Sequence, residues 1–100
     1  MKDYFNETQE VAEYWNGYMC NNVIEEAAEL QLAIQKYKRL VSFDILRSDF
    51  SMDKRMKLFD NVKDEMADMF ISLWAFMHEC DIDPEDMEGR IEKKLEKRYE

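Results

Sequence analysis

Apolar residues recur along this chain with the period of an α-helix. In residues 23–40 they form one stripe when the sequence is projected at about 100° per residue: Val23, Ala27, Leu30, Ile34 and Tyr37. A second stripe of the same kind occupies residues 61–80: Val62, Met66, Met69, Leu73, Phe76 and Cys80. The 100 residues contain only two glycines and one proline to interrupt helices. The pattern therefore predicts a single all-α domain over residues 1–100, a bundle of four to five helices.

Helix-starting residues predict the boundaries of the first two helices. Asn6 is typical of a cap for a first helix that ends near Gly17, and Asn22 of a cap for a second helix that reaches about Leu40. Residues 41–51 lack sustained periodicity and are expected to form a connection. Residues 52–59 are expected to form one more short helix.

The third long helix is expected to begin at Asp60 or Asn61 and to reach about Glu79. Its segment 66–77 is apolar nearly all the way round, which predicts burial on every side and a second subunit covering residues such as Ile71 and Trp74. A last helix is marked by Asp83 as cap and Pro84 at its first position. The chain is thus expected to form an oligomeric bundle.

Carboxylates occupy matching positions beside the two stripes. Residues 25–29 read Glu-Glu-Ala-Ala-Glu and residues 64–68 read Asp-Glu-Met-Ala-Asp. Projection places one acidic pair along an edge of each stripe: Glu26 with Glu29, and Glu65 with Asp68. Because residues three apart share a helix face, packing the helices through these stripes brings four carboxylates together.

Four converging carboxylates differ from an ordinary solvated acidic face. Like charges and desolvation make such a cluster costly unless a divalent cation neutralises it. Oxygen ligands without histidine favour Mg²⁺ or Mn²⁺, and Mg²⁺ often binds substrate phosphates through its open positions. A di-iron site would need Glu-x-x-His on two helices, but the one histidine, His78, follows Ala75 at that spacing. Phosphate-ester chemistry is the expected function class.

Net charge and composition limit the classes of molecule that the chain is expected to bind and the place where it is expected to work. At −9, the chain is expected to bind neither nucleic acid polymers nor an anionic membrane. With no apolar leader and no run of about 18 apolar residues, it is expected to be soluble and cytoplasmic. Cys20 and Cys80 stand alone, which favours buried, reduced thiols over a disulfide or a zinc site.

The acidic motifs together resemble a known family. Glu25-Glu26-Ala27-Ala28-Glu29 followed by Glu65-Met66-Ala67-Asp68 is similar to the signature of the MazG-like all-α nucleoside triphosphate pyrophosphohydrolases, a group that includes the dimeric dUTPases. The likeness extends over residues 23–98. It implies Mg²⁺-dependent hydrolysis of a nucleoside triphosphate to the monophosphate and pyrophosphate, in a homodimer or homotetramer.

The resemblance also implies roles for individual residues. The metal ligands would be Glu26, Glu29, Glu65 and Asp68. Glu25 would be a further ligand or the group that orients or deprotonates the attacking water. On the last helix, Lys94 and Arg98 would contact phosphate oxygens, although basic residues near a helix C-terminus are also favoured by the helix dipole. Lys36 and Arg39, two turns after the first motif, are expected to form surface ion pairs.

Two alternatives remain open at this stage. Phosphoribosyl-ATP pyrophosphohydrolase, from histidine biosynthesis, resembles the same fold and acidic pattern. A non-catalytic helical interaction module would use the same carboxylates only to keep an oligomeric bundle in solution.

Overall fold

The computed structural model describes residues 4–47 and 52–98, and this part of the chain contains helices and turns but no strand. A 3₁₀ turn at Asn6–Thr8 precedes four α-helices: α1 at Gln9–Trp15, α2 at Met19–Arg47, α3 at Met52–Glu79 and α4 at Pro84–Arg98. The predicted all-α class is confirmed. Among these helices, none combines the length and the apolar character needed to cross a bilayer.

The two long helices exceed their predicted lengths. We expected a connection at residues 41–51 and a separate helix at 52–59, but α2 continues to Arg47 and α3 runs unbroken from Met52. Neither segment contains glycine or proline, so the residues that most strongly interrupt helices are missing from both. Asp60 lies within α3, where its carboxylate pairs with Lys63 at 3.4 Å instead of opening a helix. The rest of the expected connection, residues 48–51, lies outside the described residues.

The faces through which α2 and α3 pack are rotated relative to the predicted stripes. Ile34, Met66 and Leu73 were expected in the contact but remain 45%, 43% and 43% exposed. The half-buried positions include Glu26 and Glu65, which were expected only at the edges. The buried positions of the two helices combine small and polar residues with a few larger apolar ones, and Glu26 and Glu65 lie partly inside the helix–helix interface.

A buried hydrogen bond sets this rotation. The Ser72 hydroxyl on α3 donates to Asn22 Oδ1 on α2 at 2.6 Å, and both side chains are buried. Asn22 is therefore not the cap predicted from the sequence. The helix begins three residues earlier, where the backbone N–H of Met19 donates to Glu79 Oε1 at 3.1 Å. A carboxylate from α3 thus satisfies a free N–H at the start of α2 and complements its dipole.

The N-terminal segment packs on α3 through His78. His78 Nε2 lies 2.6 Å from the Phe5 carbonyl oxygen, and the two rings stack with centroids 4.0 Å apart. The predicted cap by Asn6 is wrong, because Asn6 is the first residue of the 3₁₀ turn and no side chain caps that turn. The predicted end near Gly17 is confirmed: Asn16 and Gly17 both have positive φ, +47° and +91°.

The last helix begins as predicted but packs little. Asp83 Oδ1 accepts a hydrogen bond from the Glu85 backbone N–H at 2.9 Å, and Pro84 is the first helical residue. No residue of α4 is buried, and α4 has no extended contact with the other described helices. Both cysteines, Cys20 and Cys80, are free but exposed, which corrects the expectation that they are buried. Cys20 is the second residue of α2, and Cys80 lies in the turn directly after α3.

The Asn22–Ser72 hydrogen bond yields a stability prediction. Ser72→Ala leaves the buried Asn22 oxygen without its donor, so the free energy of unfolding should fall by about 1–3 kcal/mol in urea denaturation. The double variant Asn22→Leu with Ser72→Ala removes both polar partners and should regain much of that loss. A single variant as stable as wild type would show that the hydrogen bond does not hold the two helices.

Candidate metal centre

Three carboxylates from the two long helices meet at one point. Glu26 and Glu29 lie one turn apart on α2, and Glu65 faces them from α3. One carboxylate oxygen from each lies within 4.8 Å of the other two. The spacing within α2 and the packing of α3 against it therefore produce the convergence that the sequence predicts for these residues.

Two oxygens of this acid cluster, which we define as Glu26, Glu29 and Glu65, have no partner. Glu26 Oε2 and Glu65 Oε2 are buried atoms without a hydrogen-bond partner. An unsatisfied polar atom costs free energy when it leaves water, and an ionised one costs more. The α2–α3 interface thus contains lone pairs that a cation could satisfy.

The pKa values of Glu26 and Glu65 also indicate that the negative charges of the acid cluster are not neutralised by nearby cations. Desolvation raises the pKa of the Glu26 carboxyl above its ordinary value of 4.5, and the negative charges of Glu29, Asp68 and Glu65 raise it further. Desolvation also raises the pKa of Glu65, followed by the charges of Glu29 and Asp68. A protonated carboxyl can donate to Glu29, whereas ionised carboxylates have no donor among them.

The remaining predicted acids lie at the open side of the cluster. Asp68 is outside the set of oxygens within 4.8 Å, yet its charge acts on the pKa of both Glu26 and Glu65. Its side chain is exposed, as is that of Glu29. Glu25 is also exposed and precedes Glu29 by four residues, so it shares the helix face of Glu29.

The basic residues predicted from the late motif are not brought to the cluster. Lys94 and Arg98 both lie on α4 with exposed side chains, and their spacing puts them on one face of that helix. Because α4 does not pack along α2 or α3 in the described structure, these residues and the acid cluster are separate features of one subunit.

Projection from the apolar pattern missed how far the acids enter the interface. Two polar residues carried the information that the apolar pattern lacked. Asn22 precedes Glu26 by four residues, and Ser72 follows Glu65 by seven. Both spacings keep residues on one helix face. A buried Asn–Ser pair on these faces marks the acids as interface residues.

The donor set suits a hard divalent cation. All three ligand groups offer carboxylate oxygen, the preferred donor for Mg²⁺ and Mn²⁺. The exposed side leaves room for water or substrate oxygens, as Mg²⁺ sites commonly require. The arrangement can therefore hold a cation between two helices while leaving it accessible from solvent.

The raised pKa values predict how metal-free stability depends on pH. A carboxyl with a higher pKa in the folded state binds more protons there, so its contribution to stability falls as pH rises above 4.5 through the folded value. Glu26→Gln should therefore raise the urea midpoint at pH 7.5 in chelator, with a gain that shrinks as pH falls toward 4.5. Glu25→Gln, which removes an exposed charge, is the matched control. An equal midpoint for Glu26→Gln and wild type at pH 7.5 would contradict this electrostatic strain.

Comparison of the chain with protein-family models, with curated proteins and with solved structures gave no match.

Proposed function

We propose that the chain is a Mg²⁺-dependent nucleoside triphosphate pyrophosphohydrolase, which releases a nucleoside monophosphate and pyrophosphate. The observation that carries this proposal is the acid cluster with two buried, unpartnered oxygens. An acidic face that served only solubility would keep its oxygens in water. The resemblance of the two acidic motifs to MazG-like pyrophosphohydrolases supplies the substrate class.

Each carboxylate has a distinct part in the proposal. Glu26, Glu29 and Glu65 would hold the cation, and Asp68 would join them from the open side. When bound, Mg²⁺ or Mn²⁺ would neutralise the triphosphate and stabilise the leaving pyrophosphate. Glu25, exposed beside Glu29, would orient the attacking water or accept its proton.

Because the protein has a net negative charge, it can bind an anionic substrate at the acid cluster only if a bound cation lies between them. At −9, the chain repels a triphosphate, and a divalent ion at the acid cluster reverses the local field. Lys94 and Arg98 could assist only if α4 reached the cluster, for example from a neighbouring subunit. A cytoplasmic location remains a prediction of the sequence.

The proposal predicts pyrophosphate release that requires Mg²⁺. With a panel of ribo- and deoxynucleoside triphosphates, at least one should yield the monophosphate and pyrophosphate, and chelator should abolish the reaction. Glu26→Gln and Asp68→Asn should each lower kcat/KM at least about a hundredfold, since even residues behind metal ligands contribute up to that much. Product separation by ion-exchange chromatography measures both.

The controls separate the competing functions. Glu10→Gln, an exposed acid on α1, should keep wild-type activity. Cleavage of phosphoribosyl-ATP alone would indicate the histidine-biosynthesis reaction instead. No pyrophosphate from any substrate, together with unaltered metal binding in Glu26→Gln, would favour the non-catalytic interaction module.

We further propose that the active protein is a homodimer or homotetramer. A cavity of about 540 Å³ is lined mostly by apolar residues of the N-terminal segment and α3, among them Tyr4, Phe70, Ile71 and Trp74. Phe70 is 52% exposed, and on α4 Ile91 and Leu95 are 50% and 46% exposed at a spacing of one turn. Two exposed apolar surfaces in the described part of one short chain favour a second copy as the partner.

Sedimentation equilibrium tests the oligomer. Wild type should sediment as a dimer or tetramer, and Ile71→Glu should shift it toward the monomer, because a buried charge at the contact is costly. Tyr14→Glu, at a side chain 85% exposed on α1, serves as the control and should leave the mass unchanged. A monomeric wild type at micromolar concentration would contradict the proposal.

A further inference from the structure

A second charged feature lies on the two helices that carry the acid cluster. A cavity of about 390 Å³ opens between α2 and α3, which we call the basic cavity; its lining is Lys36, Arg39, Leu40, Lys54 and Leu58. Its volume falls within the range of small-molecule sites. In a chain of net charge −9, three cations around one cavity form a local site for an anion.

The cations of the basic cavity form no ion pair with the carboxylates that the structure describes. Within residues 4–41 and 52–98, ion pairs join Lys63 to Asp60 and Arg90 to Asp86, and none joins a cation of the basic cavity to a carboxylate. This differs from the expectation that Lys36 and Arg39 form surface ion pairs. Their N–H donors are available to a ligand.

The basic cavity and the acid cluster lie along one edge of the helix pair. Lys36 follows Glu29 by seven residues, which is about 10 Å along α2. At about 100° per residue, the side chains of Glu29 and Lys36 point in directions around the α2 axis that differ by about 20°. Lys54 precedes Glu65 by 11 residues on α3 and is likewise displaced by about 20°. Helical side chains lean toward the N-terminus, so Lys36 leans toward Glu29 and Glu65 toward Lys54.

An aromatic contact holds the two walls of the basic cavity together. Tyr37 and Phe59 pack across α2 and α3 with ring centroids 5.4 Å apart. They are the sequence neighbours of Lys36 and Leu58, which line the cavity. The cations are therefore presented from packed helices, which limits the entropy lost when they bind a ligand.

We propose that the basic cavity binds the part of the substrate's phosphate chain that extends beyond the acid cluster. This inference rests on the proposed function and assigns phosphate contacts to Lys36, Arg39 and Lys54 instead of Lys94 and Arg98. Lysine and arginine make charge-assisted hydrogen bonds to phosphate oxygens. Leu40 and Leu58, both half-buried, form the apolar part of the cavity wall beside these cations.

Calorimetric titration of the full chain with pyrophosphate in Mg²⁺ tests the basic cavity directly. Lys36→Gln with Lys54→Gln should weaken pyrophosphate binding at least about tenfold and raise KM for the triphosphate. A second variant, Arg39→Gln, should also weaken pyrophosphate binding and raise the KM for the triphosphate. The matched control is Lys38→Gln with Lys93→Gln, which removes the same charge from exposed positions on α2 and α4 outside the basic cavity.

The outcomes separate this inference from the proposed function. Wild-type pyrophosphate affinity in Lys36→Gln with Lys54→Gln would overturn the inference, as would an equal loss in the control pair. A loss confined to Lys94→Gln with Arg98→Gln would also overturn it, because the phosphate contacts would then lie on α4. Pyrophosphate binding that depends on Lys36 and Lys54, without hydrolysis of any triphosphate, would support the anion site and contradict the enzymatic function alone.

Discussion

Electrostatic repulsion inside a helix–helix contact is the constraint on which this structure depends. Glu26 and Glu65 lie half-buried between α2 and α3, beside the exposed Glu29, and one oxygen of each half-buried carboxylate has no hydrogen-bond partner. The raised pKa values of Glu26 and Glu65 follow from desolvation and from the neighbouring negative charges. A fold that places carboxylates in this position loses stability unless a cation offsets the repulsion. A cation bound at this position would therefore help to hold the two long helices together.

Other polar contacts fix the register in which the acids meet. The Ser72–Asn22 hydrogen bond joins the two helices in the buried interface, and Glu79 accepts the backbone N–H of Met19 at the start of α2. On the far side of the acid cluster, Tyr37 packs against Phe59. Contacts on both sides of the cluster restrict sliding of one helix along the other, which preorganises the carboxylates for a ligand.

Much of this arrangement could be predicted from the sequence, and the failures have physical causes. Periodicity identified the all-α class, and the repeated acidic motif predicted that Glu26, Glu29 and Glu65 would converge, because both depend on local spacing. The rotation of α2 against α3 depends on the Ser72–Asn22 pair, which are 50 residues apart, so helical projection could not predict it. Asn22 was misread as a cap because its own sequence neighbourhood suits one, while the real partner of the helix start, Glu79, is distant in sequence. The helix ends at residues 41–60 were missed because weak periodicity is not a stop signal where glycine and proline are absent.

The metal-holding role of the acid cluster is tested most directly by titrating the chelator-treated protein with Mn²⁺ and following the electron paramagnetic resonance signal of free Mn²⁺. The proposed site predicts saturable binding at pH 7.5 that Mg²⁺ displaces and that Glu65→Gln weakens strongly, with the helical content unchanged. Absence of saturable binding, or binding that Glu65→Gln leaves unaltered, would contradict a cation site between α2 and α3.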